Sequence, residues 1–318
     1  YHIVHQTEAD SVVSQVSKRY QADKSQIGSD FADFKDKIIT LIHTPDLDPV
    51  TYLGIERQDP YSAEISAPYR LDCALTYRVG KTSISEHAPL DRVDRELSTD
   101  EWLAIIKKAA QKGIPHLLFT GGEPTLREDL PELILRAEEL GLVTGLLTDG
   151  LKLGDDDYLR TLLINGLDHL MIVFDPSNQD KWTILEKVFA EDIYTTVHLT
   201  LRKGDVLTTH IKRLADIGAN ALSLSAVDKE LADILQELRD IAAVNQLDLV
   251  WDLPVPYSSN NPVAWELEQE SNRELPEGAG KAWLYIEPDG DVLPAQGLYT
   301  QIMGNLTADS WEDIWKTA

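Results

Sequence analysis

The sequence predicts an α/β protein: a partial (β/α)6 TIM-like barrel, with a small N-terminal helical unit before it and an extension after it. Three observations carry this. Six short apolar runs alternate with six amphipathic segments between residues 71 and 245, and strands that alternate with helices pair in parallel through right-handed crossovers. Residues 1–45 place their apolar side chains at helical spacings, and after 245 the alternation stops. The length, 318 residues, suits one large domain with an appendage.

In chain order, Val12, Val13 and Val16 mark one helical face, and Ile27, Phe31, Phe34, Ile38, Leu41 and Ile42 mark a second at spacings of three and four. Ser29 with Asp30 is the expected N-cap of that second helix. Pro45, Pro49 and Pro60 punctuate a linker over 46–68. Strands are expected at 71–76, 116–120, 143–148, 169–174, 195–201 and 221–226. The helices between them are expected at 99–112, 129–140, 155–165, 179–189, 206–217 and 228–245. Six units are too few for a closed eight-stranded barrel and suit an open one, spanning 69–245, with a doubly wound sheet as the alternative. Residues 246–318 form the extension: one more extended piece at 249–256, a hairpin over 283–294 turning at Asp289-Gly290, and a short helix at 311–315.

Composition excludes several classes. The chain has 29 Lys and Arg against 54 Asp and Glu, a net charge of −25, so phosphate backbones repel it and nucleic acid is not an expected partner. No apolar run reaches the eighteen or so residues of a membrane span. Its single cysteine, Cys73, cannot form an internal disulfide, which points to a cytoplasmic setting. One cysteine also cannot supply a structural zinc or an iron–sulfur site. No signal peptide is recognisable at Tyr1, and the chain starts without Met.

In an open β/α sheet the functional face lies at the C-terminal ends of the strands. That rule selects Thr76–Arg78, Thr120–Glu123, Thr148–Gly150, Asp175, Arg202 and the loop after Ala226. The strongest local signal is Phe119-Thr120-Gly121-Gly122-Glu123-Pro124. Two glycines after a buried strand allow close approach of a ligand to the backbone, and a fixed carboxylate beside them suits an ammonium group. A tight strand-to-helix turn with a solvated Glu123 is the plainer reading of the same residues. His198, on the fifth strand, is expected to be a satisfied core or surface imidazole.

These residues resemble the radical SAM superfamily. Gly121, Gly122, Glu123 and Pro124 are similar to the family segment that holds the methionyl amino group of S-adenosylmethionine (SAM). Residues 71–78 resemble the family's first barrel strand, Leu147-Thr148-Asp149-Gly150 its third-strand turn, and 172–175 its fourth-strand end. The resemblance implies a cofactor-binding set of Gly121, Gly122, Glu123, Pro124, Thr148, Asp149, Asp175 and Arg202. It also implies three cysteines spaced C-x3-C-x2-C after the first strand, holding a four-iron cluster that cleaves SAM. Those positions are Val79, Ser83 and Glu86. Valine offers no donor atom, and the two oxygens are hard ligands for a soft core. Cys73 lies within the strand, as a small buried residue would. The tail, with Gly304-Asn305-Leu306 and 311–315, resembles the SPASM/twitch extensions of peptide-modifying members, with Pro294-Ala295 where auxiliary-cluster members commonly have Pro-Cys.

Residues 1–45 resemble the later helical part of a RiPP recognition element, the PqqD-like winged-helix module, which binds a leader peptide as an added strand beside a helix. The resemblances together imply a cluster-less radical SAM-like protein, a pseudoenzyme that binds a peptide or protein partner. No iron–sulfur cluster is expected, catalytic residues are not defined, and no metal site is expected. The alternative is an enzyme that keeps SAM or another small ligand at Gly121–Glu123 and acts without a cluster.

Overall fold

The computed structural model describes residues 8–54, 65–80, 89–250 and 278–316. Two units divide it, 1–64 and 65–318.

The first unit holds α1 (Ala9–Tyr20), α2 (Lys24–His43) and α3 (Pro49–Leu53). The cap of α2 is Asp23, whose carboxylate accepts from the Ser25 and Gln26 amides at 2.9 and 3.0 Å. The expected cap at Ser29 and Asp30 is therefore corrected: both lie inside the helix, one turn further on. Helix α3 falls within the expected linker, started by Pro49 at its first turn and by the Asp48 side chain on the Thr51 amide. Val12 is buried, α2 buries no side chain, and Phe34 is 47% exposed.

The second unit is a ten-stranded sheet among the described residues. Its strands are β1 (Arg70–Thr76), β2 (His116–Gly121), β3 (Val143–Thr148), β4 (His169–Val173), β5 (Tyr194–Leu201), β6 (Ala221–Ala226), β7 (Asp248–Leu249), β8 (Trp283–Ile286), β9 (Asp291–Leu293) and β10 (Gly304–Asn305). Their order is β10-β9-β8-β1-β2-β3-β4-β5-β6-β7. Strands β1 to β7 are parallel in sequence order, as a series of right-handed crossovers requires. Among the described residues the sheet ends at β7 and β10 without closing. The hairpin expected in the tail is present as β8 and β9, and β8 also pairs in parallel with β1, Arg70 opposite Trp283.

The helices are α4 (Thr99–Lys112), α5 (Leu130–Glu139), α6 (Asp156–Ile164), α7 (Gln179–Val188), α8 (Thr208–Asp216), α9 (Ala232–Val244) and α10 (Trp311–Trp315). They bury one apolar face against one side of the sheet. Leu71, Cys73, Leu75, Phe119, Leu146, Leu170, Leu199 and Leu224 meet Trp102, Leu133, Leu162 and Trp182 there. The other sheet face is mixed, with a small apolar cluster of Leu118, Leu147, Met171 and Val173. The piece expected at 249–256 lies mostly outside the described residues.

Candidate functional site

The end of β2 and the chain leaving β1 run together, which explains both glycines of the Gly121–Pro124 element. Gly121 has φ +119°, and a Cβ there would strike the Thr76 carbonyl oxygen. A Cβ on Gly122 would strike the carbonyl oxygen of Arg78 and come within 2.7 Å of that of Tyr77. The Gly122 amide donates to the Thr76 carbonyl at 2.7 Å, and the Glu123 amide donates to that of Arg78 at 2.7 Å. The side-chain space at both glycines is filled by the protein's own backbone.

Glu123 is buried, and both carboxylate oxygens are engaged. Oε1 accepts from the Thr125 amide (3.0 Å), the Thr125 hydroxyl (2.6 Å) and the Thr148 hydroxyl (2.8 Å). Oε2 accepts from the Asp149 amide at 2.6 Å. Thr148 shares a face of β3 with Leu146, which packs among the helices, so the carboxylate ties β2 to β3 on the helix side of the sheet. Burial, with the Asp149 charge next in weight, pushes Glu123 up to about 7. Pro124 opens a short 3-10 turn.

Asp149 is also buried. Its Oδ1 accepts from the Leu151 amide at 2.9 Å, and Gly150 takes φ +79° to make the turn. Beneath it lies Lys181 of α7, 3% exposed, whose ammonium donates to the carbonyls of Asp149 (2.7 Å) and Val173 (3.2 Å). Burial lowers the Lys181 pKa, against the pull of Asp149, Asp175 and Glu123. A lysine in the amphipathic segment 179–189 reads as a surface residue, so the sequence pattern does not reveal Lys181.

Of the three positions where thiolates are expected, Val79 is half-buried, while Ser83 and Glu86 lie outside the described residues. Cys73 is buried in β1 among the helix-facing apolar residues, its thiol over the Leu71 carbonyl at 3.8 Å, and burial pushes its pKa up. These residues do not match a thiolate-held cluster. The chain on either side of 81–88 is held by hydrogen bonds and ion pairs. Tyr77 donates to Glu287 at 2.8 Å, and Arg92 grips the same carboxylate with Nε at 3.0 Å and Nη2 at 2.8 Å. Thr76 donates to Glu96, and the Leu97 amide donates to the Pro288 carbonyl at 2.7 Å. No local pattern in the sequence reveals Glu287, because its partners stand about two hundred positions earlier.

Asp175 and Arg202 are brought together elsewhere, in a cleft of about 360 Å³ at the ends of β4 and β5 that also involves Phe174, Thr200, Asp205 and His210. Asp175 Oδ1 accepts from the Ser177 amide and hydroxyl (2.9 and 2.7 Å). The Arg202 amide donates to Asp205 at 2.8 Å, while its exposed guanidinium has no partner among the described residues. Behind Thr200, His198 is wholly buried, with Nδ1 3.0 Å from the Ser223 hydroxyl and Nε2 3.1 Å from that of Ser225. It is a satisfied core histidine, held down to about 3 by burial. Among the described residues no group of three or more His, Cys, Asp or Glu side chains converges as a metal site.

Comparison with known proteins places these features in a family. A family model described as the radical SAM superfamily matches residues 73–245. The PqqA peptide cyclase of Granulibacter bethesdensis is 39% identical over 112 residues, 35% of this chain; the match spans 30% of that protein's length. Streptococcus suis SuiB bound to the precursor peptide SuiA shares the fold at TM-score 0.62 and 14% identity, over 91% of this chain and 78% of that one. SuiB bound to S-adenosylmethionine gives 0.61 at 14% identity, over 91% and 77%. A structure of anSMEcpe with bound AdoMet gives 0.53 at 14% identity, over 78% and 80%.

Proposed function

The chain belongs to the radical SAM superfamily, and from that premise we propose that it is a cluster-less member that holds a peptide or protein partner and does not initiate radical chemistry. One observation carries the reading. The segment that resembles the family's SAM-holding element spends its two amides and its carboxylate on its own backbone and on β3. The absence of thiolates at Val79, Ser83 and Glu86 supports it from the sequence. Peptide chemistry enters from the relatives: one is named a peptide cyclase, and another structure holds a precursor peptide.

In this reading residues 1–45 are the remnant of a PqqD-like recognition unit and 246–318 a SPASM/twitch-like extension. A net charge of −25 makes basic or apolar partner surface the favourable match. The single cysteine fits a reducing, cytoplasmic setting, and among the described residues no helix is long and apolar enough to cross a membrane. The test is partner capture by the full chain beside a chain lacking 1–45. Loss of the partner on deletion supports the recognition role, and equal capture removes it.

A second reading is favoured by the cleft at Asp175 and Arg202. Its guanidinium, without a partner among the described residues, its apolar wall and its volume suit a small ligand, SAM included. Calorimetry with SAM distinguishes the readings. Binding that Arg202→Ala weakens supports a ligand-binding protein, and no heat with either form leaves the partner-binding reading.

A further inference from the structure

At the opposite end of the sheet two imidazoles meet. His116, the first residue of β2, and His169, the first residue of β4, bring their Nε2 atoms to 2.7 Å, with the rings inclined at 63°. They stand two strands apart and reach one another across Gly145 of β3, which is in register with His169. A Cβ at position 145 would run into His169 Cε1 and Nε2 and approach Leu118 Cδ1 to 2.7 Å. The missing side chain is what admits the ring.

We propose that His116 and His169 form a bidentate imidazole site for a divalent late transition metal, copper(II) foremost, at the N-terminal end of the sheet. Two nitrogens about 2.0 Å from a metal and at right angles to it stand about 2.8 Å apart, the spacing of cis ligands in a square-planar field. The observed 2.7 Å is close to that bite without movement of either strand. A tetrahedral ion needs about 3.3 Å between the same two nitrogens, so zinc fits less well. Both rings are half-buried, which leaves room for water to complete the coordination.

The Arg70 guanidinium works against positive charge at the pair, and two carboxylates work for it. Arg70 of β1 is in register with His116, and its guanidinium is taken up by Asp72, with Nε at 2.6 Å and Nη2 at 3.1 Å. Asp168 precedes His169 and accepts from the Thr144 amide at 2.7 Å. One cation and two carboxylates thus flank the pair. The ring that donates its Nε2 proton in the metal-free pair moves that proton to Nδ1 as Nε2 becomes a ligand.

The test is titration of the full chain with copper(II), followed by calorimetry, electron paramagnetic resonance and thermal unfolding. The expected result is one copper per chain at this site, a square-planar spectrum with coupling to two nitrogens, and a rise in Tm. His116→Gln and His169→Gln should each lower that affinity by more than the roughly 10–100-fold that outer-shell changes cost. Gly145→Ala should do the same while keeping both ligands. If that variant fails to fold, the two glutamine variants decide. Equal copper uptake by wild type and the double glutamine variant overturns the proposal, as does no uptake or a wild-type spectrum without two-nitrogen coupling.

Discussion

The two halves of the sheet's C-terminal edge are built from the same βα turns and differ in what they leave free. At the ends of β1 to β3, Gly121, Gly122, Glu123, Thr148 and Asp149 bond one another and the chain after β1. At the ends of β4 and β5, Asp175 and Arg202 border an open cleft, and the guanidinium is unpaired among the described residues. A motif can therefore persist because the backbone needs it, with its two amides and its carboxylate already used within the fold. The small-ligand reading proposed above rests on the second half.

The largest expected effect breaks the closed half. Gly122→Ala pushes a Cβ into the carbonyls of Tyr77 and Arg78, and denaturant unfolding should show a loss of about 3 kcal/mol or more. Gly204→Ala, at φ +93° in the loop after β5 with nothing within 4 Å, should cost only the backbone strain, roughly 1–2 kcal/mol. Equal losses at the two glycines would erase the distinction.

Next in size is Glu123→Gln, which puts an NH2 group, unable to accept, where an oxygen accepts even when it carries a proton. A loss of about 1–3 kcal/mol is expected at pH 5. The sign with pH follows from the raised pKa of Glu123. The folded state holds this proton more tightly than the unfolded state, where the pKa is about 4.3. Its contribution is full below about 4.3 and is lost as pH rises toward about 7. The stability gap between wild type and variant should narrow over that window, read by thermal unfolding across pH.

His198, behind the open half, titrates in the other sense. Its folded pKa is near 3 and its unfolded value about 6.5. The stability it contributes is full above about 6.5 and is lost as pH falls, at up to about 1.4 kcal/mol per pH unit. His198→Asn should flatten that slope, and an unchanged slope would show that this imidazole is not as buried as described. Smallest is Arg202→Ala, expected to move stability by about 0.5 kcal/mol or less because the side chain is exposed and has no partner among the described residues.

Much of the fold was legible in the sequence because its signals are local. The helix expected at 99–112 is Thr99–Lys112, set between Ser98, which caps it with Glu101, and Gly113 in a left-handed turn. The α2 cap is hard to place from the sequence because Asp23 and Ser29 are both capping residue types, and the helix buries no side chain that would mark its start. The pairing of β8 with β1 spans over two hundred residues and has no local trace. The site residues were found by position at strand ends, but their directions were not. The β1–β2 pairing slips between Ala74 and Thr76, and past that irregularity alternation no longer tells which way Glu123 points.

The most direct test of the central claim, that this radical SAM-family chain works without a cluster, is quantification of iron and sulfide after anaerobic reconstitution of the full chain. With Val79, Ser83 and Glu86 at the ligand positions and Cys73 buried in β1, both should remain far below one cluster per chain, with no charge-transfer absorption. Four irons and four sulfides per chain, with that absorption, would contradict it.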